Sequence, residues 1–174
     1  AARPSEARYR IDRRLPIHTW PDQPLLVVPS MSPLASAAFG REGGADFVDA
    51  VTASNAVPGI SPLVMIDGRG YMDGGFYSID NADLAAGCDR VLVLTLPARI
   101  PPLCVVPLDV AVHTLRANGA LVEVVHPDES TNAVFASSGG NLLDPSIREP
   151  AARAGREQTR KLGATASPHC GDEN

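Results

Sequence analysis

Asp73 stands in Tyr71-Met-Asp-Gly-Gly75, a carboxylate followed directly by two glycines. Glycine there allows a tight backbone and the close approach of another group. A carboxylate so placed can accept the proton of a serine hydroxyl at hydrogen-bond distance, which is general-base chemistry. Asp-Gly is also a common turn dipeptide, and Asp67-Gly68, just upstream between apolar runs, reads as a plain hairpin turn. The surroundings of Asp73 set it apart. Val51-Thr-Ala-Ser-Asn-Ala-Val-Pro-Gly59 precedes it, and Asn81-Ala-Asp-Leu-Ala85 follows it.

A general base needs a nucleophile. Ser54 is the serine in the run that precedes the motif, but Thr52-Ala-Ser-Asn-Ala56 lacks the flanking glycines of a strained nucleophile turn. Ser54, Pro58 and Gly59 are therefore read as structural support for the Asp73 loop. Neither a Gly-x-Ser-x-Gly elbow nor a Gly-rich oxyanion loop occurs in the 174 residues. Gly68-Arg-Gly-Tyr-Met-Asp73 starts like a dinucleotide fingerprint. It lacks the last glycine and lies in a hairpin instead of a strand-to-helix turn. Asn81 and Asp83 read as helix-capping residues, and His126-Pro-Asp128 as a loop past a strand end. The four histidines show no metal-ligand spacing and the three cysteines no Cys-x-x-Cys pair, so neither a metal site nor a disulfide framework is expected.

Taken together, these segments resemble the second half of a patatin-like serine acyl hydrolase. The likeness runs from about Trp20-Pro-Asp-Gln-Pro-Leu25 to Pro150-Ala-Ala-Arg-Ala-Gly155. Val122-Glu-Val-Val-His-Pro-Asp128 and Asn141-Leu-Leu-Asp-Pro145 look like one bacterial branch of that family. The resemblance implies that Asp73 is the proton acceptor of a Ser-Asp dyad, with Gly74 and Gly75 completing its motif. It implies an acyl ester or phospholipid substrate, with no metal and no cofactor. The serine and the oxyanion loop would come from an N-terminal half or a second chain. Residues 29–44 depart from the strand-turn-strand that the family shows there. The implied fold is α/β: a partial patatin-like fold, the C-terminal part of a mainly parallel sheet flanked by helices. The alternative is a non-catalytic truncated remnant or interaction module, because the nucleophile is missing.

The elements that must position these residues follow from pattern. Residues 1–24 form a short amphipathic piece and a loop, 25–162 the body of the domain, and 163–174 a disordered tail. Strands are expected over 25–28, 63–66 and 70–72. Two more are expected: 90–96, apolar enough to be buried on both faces, and 120–125, another buried strand. Helices are expected over 45–55 with Asp46 as cap, over 81–86 closed by Gly87, and over 108–118 stopped by Gly119. A further helix starts at Pro145 behind the cap Asp144, and Pro150 starts or kinks another stretch to about 162. Residues 97–107, with four prolines, read as an irregular loop.

Net charge is −5, so no basic field argues for nucleic acid. No apolar run approaches the roughly 20 residues that span a bilayer. The first residues hold no apolar core of a secretory signal. These features together give the expectation of a cytoplasmic protein.

Overall fold

In the computed structural model, residues 4–32, 35–96 and 106–165 are described. The secondary structure is α/β, with helices, short strands and one small parallel sheet. The described residues fall into two compact units, one of residues 4–93 and 106–123, the other of 94–96 and 124–165. Among the described residues no helix is long and apolar enough to cross a membrane.

Two antiparallel hairpins build the part of the first unit that carries Asp73. The first joins β1 (Ser30–Ser32) to β2 (Ala35–Ser36). It is lengthened by paired amide–carbonyl bonds between Val27 and Phe39 and by the Ala37 amide bonding to Pro29 O. The second joins β3 (Val64–Ile66) to β4 (Arg69–Tyr71) through Asp67 and Gly68. Both turn residues have positive φ, 49° and 75°, the geometry that matches the twist of a tight hairpin. An isolated bridge between Ser30 and Met72 lays the two hairpins side by side.

Helix α2 (Phe47–Ser54) covers this arrangement. Asp46 caps it, its carboxylate accepting from the Asp49 amide at 3.1 Å. Its first turn is held by α1 (Pro4–Asp12), whose Arg8 forms ion pairs with Asp46 and Asp49. The core gathers Ala45, Ala53, Ala56, Val64, Ile66 and Tyr71, with Phe39 edge-on to Tyr71 at 5.1 Å. The buried face of α2 is made by Phe47, Val48, Ala50, Thr52 and Ala53, while Val51 and Ser54 are half-buried. Thr52 tolerates burial because its hydroxyl bonds to Val48 O at 2.6 Å.

Downstream, β5 (Arg90–Leu94) and β6 (Leu121–Val125) pair as the small parallel sheet, with α3 (Leu108–Ala117) between them in sequence. Among the described residues parallel pairing is confined to this sheet; the other two are antiparallel. The end of α3 follows from sequence. Gly119 (φ 94°) and Ala120 donate their amides to Arg116 O and Leu115 O, a Schellman closure.

The expectation that β5 is buried on both faces and that β6 is buried is overturned. Val93 is buried, but Leu92 and Leu121 are 61% and 68% exposed, because each strand has one neighbour and one covered face. Residues 25–28 are also not a full strand; only Val27 is bridged. The stretch at 81–86 is a 3-10 turn over Ala82–Ala85. Residues 97–105 of the expected loop lie outside the described residues.

The second unit holds a helix for which pattern reading gave no element: α4 (Glu129–Ser137), capped by Asp128 through the Thr131 amide at 2.8 Å. It packs on α5 (Arg148–Thr165), which follows a 3-10 turn with Asp144 as cap and Pro145 at its first position. Pro150 lies in the first turn of α5, which starts at Arg148 rather than at the proline, and its missing N–H leaves no bond broken there. Helix α5 also includes residues 163–165, the first of the expected tail; residues 166–174 lie outside the described ones. Gln158 ties the two helices: its Oε1 accepts from the Asp128 amide at 3.0 Å and its Nε2 donates to His126 O at 2.6 Å.

The Thr131 amide, followed by the Ser130 and Thr131 hydroxyls and the more distant charge of Lys161, holds the Asp128 carboxyl below the usual carboxylate range. A depressed folded value makes this stabilisation complete above the ordinary aspartate range, near pH 4. It is lost as pH falls through the folded value. Amide exchange of residues 131–134, corrected for intrinsic rates, is therefore expected to accelerate on acidification. Asp128→Asn keeps a capping acceptor and should flatten that dependence. Asp128→Ala should raise exchange about fivefold at neutral pH, the usual effect of a lost cap.

Candidate active site

Asp73 follows directly on Met72, where the second hairpin is bridged to the first. Its backbone is tied in both directions. The Asp73 amide donates to Ala56 O at 3.0 Å. The Asp73 carbonyl accepts the Ser30 hydroxyl at 2.7 Å and the Phe76 amide at 3.3 Å. The side chain is half-buried and caps the 3-10 turn Gly74–Phe76, Oδ1 accepting from the Gly75 amide at 2.8 Å. A carboxylate held by one amide, on a backbone tied to two other segments, has a defined direction. That geometry suits it to take a proton from a hydroxyl brought to it.

The two glycines do different things. A Cβ on Gly74 would lie 2.0 Å from Val28 O, so the hairpin can approach only because position 74 has no side chain. Gly75 is exposed, and a Cβ there would meet the Asp73 Oδ1 itself at 3.0 Å. Neither glycine has positive φ, so close approach rather than backbone conformation demands glycine at 74.

Ser54, Pro58 and Gly59 sit upstream in the same run. Ser54 is the half-buried last residue of α2. Pro58 and Gly59 (φ 85°) occupy the centre of a turn closed by the Ile60 amide on Val57 O at 3.0 Å. Proline then positive-φ glycine is the sequence such a turn requires. The direct bond from this run to Asp73 comes from Ala56, which is 2% exposed.

Downstream, Asn81 does not cap a helix as expected. It is in the left-handed region (φ 48°), which turns its side chain back so that Nδ2 donates to Ser78 O at 2.8 Å. The buried Ser78 hydroxyl accepts the Asn81 amide at 3.0 Å and donates to Val106 O at 3.2 Å. The Ser78 amide bonds to Gly74 O, so this knot is continuous with the Asp73 turn. Asn81 Oδ1 and Asp83 Oδ1 are buried without a protein donor. Leaving an acceptor so is costly, and ordered water is the usual remedy.

Pattern reading missed Ser30, Val28 and Ser78. Ser30 and Val28 carry no local signal, since they act through partners distant in sequence, whereas Ser78 bonds to Asn81 three residues on as well as to the distant Val106. Among the described residues no group of three His, Cys, Asp or Glu gathers as a metal site.

No protein-family profile and no curated protein matches this chain.

Replacing Gly74 by Ala must displace the first hairpin from the Asp73 loop. A loss of about 3 kcal/mol is expected in denaturant unfolding, the upper part of the usual range for forced overpacking. Gly75→Ala, with only a movable side chain to displace, should cost about 1 kcal/mol or less.

Proposed function

We propose that this chain contributes the base of a patatin-like lipid acyl hydrolase. In this reading Asp73 takes the proton of a serine hydroxyl as that oxygen attacks the carbonyl of an acyl ester or phospholipid. The serine and the amides that hold the oxyanion come from an N-terminal half or a second chain. The observation that carries the reading is the convergence on Asp73 of the segments whose sequence resembles that family. The Val51–Gly59 run bonds its amide through Ala56, and Asn81 closes the far side of its turn through Ser78. A bare Asp-Gly turn needs none of these supports, and Asp67-Gly68 shows how one looks.

The open sheet supports the same reading. A parallel pair with Leu92 and Leu121 exposed is what remains when the central strands of a larger α/β sheet belong elsewhere. The absence of a Gly-x-Ser-x-Gly elbow from these 174 residues makes this chain inactive by itself.

The product isolated from its source with an antibody to residues 168–174 tests the proposal. It should contain a serine, on a longer chain or a co-purifying one, that a fluorophosphonate probe labels. Hydrolysis of short-chain nitrophenyl esters by that product should fall at least about 100-fold with Asp73→Asn, the usual loss when a general base is removed. This chain alone should show no turnover above buffer. A product of 18.2 kDa without partner or labelled serine, or activity indifferent to Asp73→Asn, would instead favour a non-catalytic interaction module.

A further inference from the structure

We infer that Ser30 is the positioning residue for the Asp73 carboxylate, acting through the backbone of Asp73. The inference rests on the reading of Asp73 as the base and adds the residue that aims it. Ser30 has no exposed surface. Its amide donates to Met72 O and its carbonyl accepts from the Met72 amide, both at 2.8 Å. Its hydroxyl then passes the end of that ladder and donates to Asp73 O at 2.7 Å. Two residues further back, Val28 O fills the space above Gly74. The hairpin thus holds residues 72, 73 and 74 in succession, and among the described residues the hydroxyl is its one side-chain bond to Asp73.

A buried hydroxyl needs a partner wherever it sits, so the bond alone does not distinguish aiming from plain satisfaction. Its position does. The other bond at Asp73 O, from the Phe76 amide, is longer at 3.3 Å. Without the hydroxyl, the peptide plane between Asp73 and Gly74 is held mainly by that weak bond. The next amide along is Gly75 N–H, which grips the carboxylate. Rotation of the plane carries this donor away from Oδ1. Ser30→Ala leaves both backbone bonds to Met72 in place and removes only the link to Asp73 O.

The Gly75 amide reports the effect without any turnover. In the wild-type chain its proton resonance should move as the Asp73 carboxyl is protonated, and Asp73→Asn should abolish that movement. Ser30→Ala is expected to reduce its amplitude at least twofold and to speed Gly75 amide exchange about tenfold, while protection of the Val64–Ile66 amides is unchanged. Ser30→Cys, with a weaker donor of similar size, should fall between the two, and Ser30→Thr should restore the wild-type response. An unchanged Gly75 response in Ser30→Ala overturns the inference. So does an equal loss of protection across β3, or a Ser30→Ala chain that does not fold while Ser30→Cys folds with a wild-type Gly75 response. Because the readout is a titration, its failure leaves the hydrolase proposal to its own labelling test, and failure there leaves this result intact.

Discussion

The carbonyl oxygen of Val28 occupies the space that any side chain at position 74 would need. That contact sets how near the first hairpin can come to the loop after β4, and the rest of the Asp73 environment depends on it. Only at this separation can the Ser30 backbone pair with Met72 and its hydroxyl reach Asp73 O. The bridge in turn aligns the two hairpins, and α2 closes over them with its small residues. Ala50 and Ala53 have no exposed surface, which lets the helix lie close to the strands beneath. A carboxylate is thus fixed on a loop by contacts that are almost all backbone, independent of its own charge.

The polar groups around this loop are mostly satisfied within it. Thr52, Ser30 and Ser78 are buried, and each hydroxyl finds a backbone carbonyl. Asn81 Oδ1 and Asp83 Oδ1 are the exceptions among the described residues. The apolar account is less complete. Leu63 and Met65 lie toward solvent on the second hairpin, as do Leu92 and Leu121 on the parallel pair. The buried hydroxyls are thus satisfied while large apolar side chains stay open on two of the sheets.

Much of the local structure was legible. Asp46 and Asp144 were recognisable as caps, Asp67-Gly68 as a hairpin turn, and Gly119 as a helix stop. His126-Pro-Asp128 is a loop as read, but the helix that Asp128 caps was not anticipated, although Asp128-Glu-Ser-Thr131 carries a helix-start signal. The strand readings at 25–28, 90–96 and 120–125 failed in extent or burial. An apolar run states that a segment prefers to be covered, not whether a neighbour is there to cover it. Leu92 and Leu94 show the gap, at 61% and 72% exposed within one of the most apolar stretches of the chain.

Sequence by itself determined those features that close within a few residues: caps, tight turns and the Asp-Gly-Gly motif. Their hydrogen bonds join near neighbours and depend on residue type alone. Only the tertiary structure decided that Ser30 meets Asp73 across 43 positions, that Ala56 supplies the acceptor for its amide, and that Gly74 is needed for closeness rather than for a turn. Apart from the Ser30 hydroxyl, those contacts are made by backbone atoms, which every residue carries, so nothing in the identity of Val28 or Ala56 announces them. They exist because two hairpins and a helix pack at one particular separation.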